Sequence, residues 1–252
     1  MSYRWSLWLL SVAVIVAVAA VWLPAVLPTL SLLVVALLLL CASAVIALAG
    51  FPRHAGMPAP RWAWWTGAAL IVGAIAADVF VTVWKSPGLE AEENLFAAAL
   101  LDQVGLAPRS VYVLGGAAQL AVAAWMLALW RNLLARRGWY AESLRLARVQ
   151  GRPVWLAMFG MRDGTLRSWL GEGARWDVLA TAAGFYVPAL AGYRAYLAME
   201  WLGWVPYSRV LVPGALLLAA AVVHVRCVRR WSRMGTAGAA GEPMAAGREV
   251  SR

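Results

Sequence analysis

From Thr29 to Ala49 the chain runs for 21 residues without one charged side chain. A hydrocarbon layer about 30 Å thick is crossed by roughly 20 helical residues, so this stretch has the length and character of a span. Open strands have no place in such a layer, because their unpaired N–H and C=O groups would go unsatisfied. Comparable apolar runs occupy 5–23, 62–84, 110–130, 177–202 and 208–226. The expected fold is therefore all-α: a polytopic transmembrane helical bundle of about six spans. Only 13% of residues are charged, against about 25% in ordinary soluble domains, which excludes a water-solvated globule. The spans consume a single transmembrane domain over 1–234 and leave no separate catalytic domain. The Gly/Ala-rich tail, 235–252, is expected to be disordered.

Arginine counted over the short connections sets the orientation. Pro24/Pro28 and Pro52/Pro58/Pro60 mark the first two reversals, since proline cannot continue a helix. The second of these connections holds Arg53 and Arg61, whereas the next, 85–109, carries Glu90, Glu92, Glu93 and Asp102. The long segment 131–176 gathers nine arginines, from Arg131 to Arg175, and the tail adds Arg226, Arg229, Arg230 and Arg233. This alternation places both termini and the arginine-rich segment on the cytoplasmic side of a bacterial-type inner membrane. The acidic connection then faces outward. The net charge of +10 reads as attraction to anionic inner-leaflet lipids, not as a nucleic-acid surface.

Tryptophans stand at the expected span ends, among them Trp62, Trp64, Trp65, Trp84, Trp130, Trp176, Trp201 and Trp204, as an aromatic belt requires. The 131–176 segment mixes Trp139, Tyr140, Leu144, Trp155 and Phe159 with its arginines, which suggests one or two short helices lying on the inner leaflet. Cys41 and Cys227 have no spacing that supports a disulfide or a thiolate metal site. With His54 in a connection and His224 near a cytoplasmic helix end, no haem or copper ligand set is expected. His224 reads as an interfacial residue, and Gly115-Gly116 as a helix-packing pair. No metal or cofactor is expected; a bound lipid is compatible.

Ionisable groups at membrane depth are costly and point to function when a partner can be named. Asp78 lies about 9 Å, and Arg194 about 12 Å, below the outer ends of their spans at 1.5 Å per residue. Their depths match, and Thr82 stands one turn beyond Asp78 on the same face. Small residues continue those faces at Gly67, Ala74, Ala191 and Ala198 and permit close helix approach. One reading is an outward polar pocket in which Arg194 binds an anionic group and Asp78 orients it or handles a proton, with Gln119 as a further ligand. The other is a pair that locks two helices together. Glu93 and Asn94, in the acidic connection, are candidate acid–base or ligand groups above Asp78, or else the solvated start of a short helix.

The order Asp78-x-x-x-Thr82 followed by Glu93-Asn94 resembles the pattern of a family of small prokaryotic membrane proteins of unknown function, Asp, Thr, then Glu and Asn-Pro. The resemblance covers about 67–130, with Leu95 where that family has proline. It implies a membrane protein and no mechanism.

The chain contains no GxSxG elbow, HExxH helix or phosphate-binding glycine loop. Two classes of function stand. The first is a subunit or accessory protein of a larger membrane complex, docking on other subunits or on itself through small-residue and Trp-rich helix faces. The alternative is a membrane enzyme or carrier whose outward-facing site at Asp78/Arg194 handles an anionic or lipid-like substrate.

Overall fold

In the computed structural model the described residues are 3–22, 29–50, 61–89, 95–159, 176–206, 208 and 210–239, and every regular element among them is helical. Helices α1 (Tyr3–Trp22), α2 (Thr29–Gly50) and α3 (Arg61–Lys85) are followed by a short α4 (Leu95–Ala98) that runs into a π-helical turn at Ala99–Gln103. Then come α5 (Pro108–Val149), α6 (Val154–Met158), α7 (Trp176–Gly184), α8 (Val187–Trp201) and α9 (Leu211–Ala239). Four stretches, Leu30–Leu48, Arg61–Lys85, Pro108–Val149 and Leu211–Arg233, are long and apolar enough to cross a membrane.

The long helix α5 is the axis on which α2, α3, α7 and α9 pack. On one side, Ala44 and Ala47 of α2 meet Ala121, Trp125 and Ala128 of α5. On another, Ile71, Ala74 and Ile75 of α3 meet Ala123 and Met126 of α5 and Val187 and Ala191 of α8. Toward its C-terminal end, Tyr140 and Leu144 join Val178 and Ala182 of α7 and Val228 of α9. Alanine at so many contact points lets the backbones approach closely, which is how helices gain packing energy where lipid removes the hydrophobic drive.

Polar clasps fix the register. The Ser6 hydroxyl donates to the Ser43 carbonyl and the Ser43 hydroxyl to the Ser6 carbonyl, each at 2.6 Å, and Trp125 Nε1 donates to Ser43 Oγ at 3.0 Å. This reciprocal pair ties α1 antiparallel to α2 and both to α5. Arg131 donates to the Leu48 carbonyl, supplying a donor and a positive charge to the last turn of α2.

In its helix boundaries the structure departs from the sequence reading in three places. The run 177–202 is not one helix: it breaks at Phe185–Tyr186 into α7 and α8. Pro188 causes this, because it has no N–H for the Gly184 carbonyl and its ring crowds that group. Tighter bonds, Phe185 N–H to Ala182 and Tyr186 N–H to Ala183, close the end of α7. Second, 131–149 does not form a separate interfacial helix but continues α5, whose 42 residues reach about 63 Å, twice a membrane core. Asn132, Leu133, Tyr140, Leu144 and Ala147 bury one stripe of this extension, and no proline intervenes before Pro153. Third, α9 continues through 235–239; the rest of the tail lies outside the described residues.

Candidate functional site

Asp78 and Arg194 meet. Arg194 Nη1 donates to Asp78 Oδ2 at 2.8 Å, joining α3 to α8. The α3 face that carries Asp78 is buried at Gly67, Ile71, Ala74, Ile75 and Val81, and the α8 face at Val187, Ala191 and Ala198. The small residues therefore pack within this chain. Gly67 lies under the Trp130 indole, where a Cβ would come within 2.1 Å of Nε1, and that N–H donates to the Ala63 carbonyl. Trp130, expected in the aromatic belt, is instead a packing residue between α3 and α5.

The two partners of the pair are unequal. The Asp78 side chain is 10% exposed, whereas Arg194 is 29% exposed and commits a single N–H to Asp78. Guanidinium has five such donors, so Asp78 anchors the group and leaves its remaining edge available. That edge borders a cavity of about 1100 Å³ between the α1–α2 hairpin and the α3–α8 pair, with α5 at its back. Typical small-molecule sites measure roughly 300–1,000 Å³.

The cavity wall is divided. Ala13, Val14 and Ala17 of α1 and Leu33, Leu37 and Leu40 of α2 make one side wholly apolar, and Asp78, Arg194, Gln119 and Glu200 lie on the other elements. No protein family, curated protein or solved structure matches this chain. Geometry alone therefore has to speak for the site.

Of the other expected site residues, Thr82 lines the cavity, but its hydroxyl donates back to the Asp78 carbonyl at 2.9 Å. Gln119 lines it as well, and its Oε1 is buried without a hydrogen-bond partner. A buried acceptor left in that state costs about 1–3 kcal/mol. Glu93, Asn94 and His54 lie outside the described residues.

Gly115 and Gly116 do not serve packing as expected. Both line the cavity, and a Cβ built on either meets nothing within 4 Å. Their bare backbone leaves that part of the α5 wall open. The rim is held by Tyr196, whose hydroxyl donates to the Pro206 carbonyl and accepts from the Ser208 N–H, each at 2.7 Å. Tyr112, another lining residue, donates to the Ser86 carbonyl. The sequence reading missed these two tyrosines and Glu200, because a tyrosine or glutamate near a span end has no periodic signature distinguishing it from a belt or rim residue.

A second buried polar centre lies at the other end of the bundle. His224 is not an interfacial residue: it is 0% exposed, stacked on Phe185 at 4.5 Å and edge-on to Phe159 and Tyr186. The Tyr140 hydroxyl donates to the Met158 carbonyl at 2.8 Å and so accepts from His224 Nε2 at 3.0 Å, which leaves Nδ1 to accept from Tyr186 at 3.4 Å. A neutral Nε2–H imidazole satisfies all three contacts. Among the described residues both nitrogens are hydrogen-bonded, and this centre ties α5, α6 and α9 to the break between α7 and α8.

Proposed function

We propose that the chain is a six-span protein of a bacterial inner membrane, with both termini cytoplasmic, that binds an amphiphile carrying an anionic group in an outward-opening cavity. The observation that carries this reading is Arg194: a guanidinium fixed by one N–H to Asp78, bordering a cavity whose facing wall is apolar. Charge-assisted bonds from the free edge suit a phosphate or carboxylate, and the α1–α2 wall suits an alkyl chain.

Most lining residues lie in the half of their helix nearer the 23–28, 85–109 or 202–210 connections, the side assigned outward by arginine counting. In this reading α7 and α8 together complete one crossing and α1, with an apolar stretch at Trp5–Ala20, makes another. The alternative, an accessory subunit, drew on small-residue faces free for docking. Gly67, Ala74, Ala191 and Ala198 are covered within the chain, which favours the binding reading over docking through those faces.

The test is purification of the tagged full chain from native membranes in mild detergent, with native mass analysis of what accompanies it. Retention of an anionic amphiphile by the wild type and its loss in Arg194→Gln are expected. A stoichiometric set of other membrane subunits, with no amphiphile retained, would instead establish the accessory role.

A further inference from the structure

Among the described residues the cavity wall carries three charged side chains, and their balance says more about the ligand than Arg194 does alone. Asp78 and Arg194 offset one another, and Glu200 leaves the lining with one negative charge in excess. Glu200 makes no hydrogen bond or ion pair among the described residues. A ligand that is merely anionic would satisfy Arg194 while meeting that uncompensated carboxylate. A ligand carrying an ammonium beyond its anionic group satisfies both.

The order of groups along the cavity agrees. Glu200 follows Arg194 by six residues on α8, about 9 Å nearer the rim. Leu197 stands between them, and Tyr193 and Trp201 line the same wall, offering aromatic faces that attract an ammonium. Gln119 lies deeper on α5. Ala13, Ala17 and Leu40 receive the alkyl chain. From the rim inward, the α8 wall asks for a cation and then an anion, and the facing α1–α2 wall asks for hydrocarbon.

Resting on the binding reading above, we infer that the cavity selects a zwitterionic amine–phosphate lipid headgroup, with Glu200 holding the ammonium and Arg194 the phosphate. Both groups keep their charge and no bond is made or broken.

The experiment compares three probes on the full chain in mild detergent by native mass spectrometry: lysophosphatidylethanolamine, lysophosphatidylglycerol and an alkylamine of the same chain length. The expected result is a preference of about tenfold for the ethanolamine lipid over the other two, as one charge-assisted contact gives. Glu200→Gln should abolish the preference over the glycerol lipid while leaving binding of the latter intact. Gly116→Leu, which fills open space in the cavity and changes no charge, should weaken every probe and so separate the cavity from annular lipid.

Equal binding of the ethanolamine and glycerol lipids by the wild type, or an unchanged preference in Glu200→Gln, would overturn the ammonium subsite and leave the anionic one standing. Binding of the alkylamine alone, or probes indifferent to Gly116→Leu, would overturn the binding reading itself.

Discussion

Around the second half of α5, Asn132, Thr181, Tyr140 and His224 are fully buried and hydrogen-bonded to one another or to backbone, with Asn132 Nδ2 donating to Thr181 Oγ1 at 3.0 Å. Around its first half, Gln119, Arg194 and Glu200 line open space with acceptors or donors uncommitted. The glycines repeat the contrast: Gly184 is pressed against Leu133 and the Leu129 carbonyl, whereas Gly115 and Gly116 touch nothing. Saturated polarity with tight packing holds helices together. Unsaturated polarity beside open space is where the binding reading places a ligand.

The largest effect should come from unbalancing the one ion pair that belongs to both descriptions. Arg194→Ala leaves Asp78 as an uncompensated, mostly buried carboxylate, and the expected loss is about 3 kcal/mol, at the low end for such a break because Arg194 is partly exposed. Asp78→Asn with Arg194→Gln removes both charges and should cost less. Chemical denaturation in detergent measures both. Equal losses would mean that the pair contributes no more than its volume, and the cavity would lose its fixed anchor.

The next two test the saturated end. Gly184→Ala places a methyl 2.6 Å from Leu133 Cβ and 2.9 Å from a backbone oxygen that cannot step aside. Overpacking should cost about 2 kcal/mol, outweighing the gain in helix propensity of roughly 1 kcal/mol. Tyr140→Phe keeps the ring but strands the His224 Nε2–H and the Met158 carbonyl, for an expected loss of about 1–2 kcal/mol. A Tyr140→Phe variant as stable as the parent would show that the histidine centre is not a clasp, and the contrast between the two ends would fail there first.

Much of this was legible from the order of residues. The lengths of α1, α2 and α3, the matching depths of Asp78 and Arg194, and the small-residue faces that bring them together follow from helical rise and periodicity. What escaped was set by local chemistry that competes with hydropathy. Pro188 splits a run that is apolar throughout, and a stripe of buried residues carries α5 past the point where arginines suggested an end. His224 beside Arg226 looked like a headgroup residue because sequence places neighbours along the chain, and its partners, Tyr140, Phe185 and Tyr186, come from other helices. Gly115-Gly116 shows the same limit: a glycine that admits a neighbouring helix and one that keeps space empty are written alike.

That ambiguity makes Gly116→Ala the finest test of the comparison. In a crowded helix the substitution resembles Gly184→Ala and destabilises. In the cavity the new methyl meets no atom within 4 Å, so only the backbone term remains, and alanine restricts the unfolded chain and favours the helix by about 1 kcal/mol. A small gain in stability is therefore expected, measured beside Gly184→Ala under identical denaturing conditions. Opposite signs for two identical substitutions would distinguish a glycine retained for packing from one retained for space. A loss at Gly116 matching that at Gly184 would mean that the cavity closes around this position, and the ligand would have to be sought elsewhere.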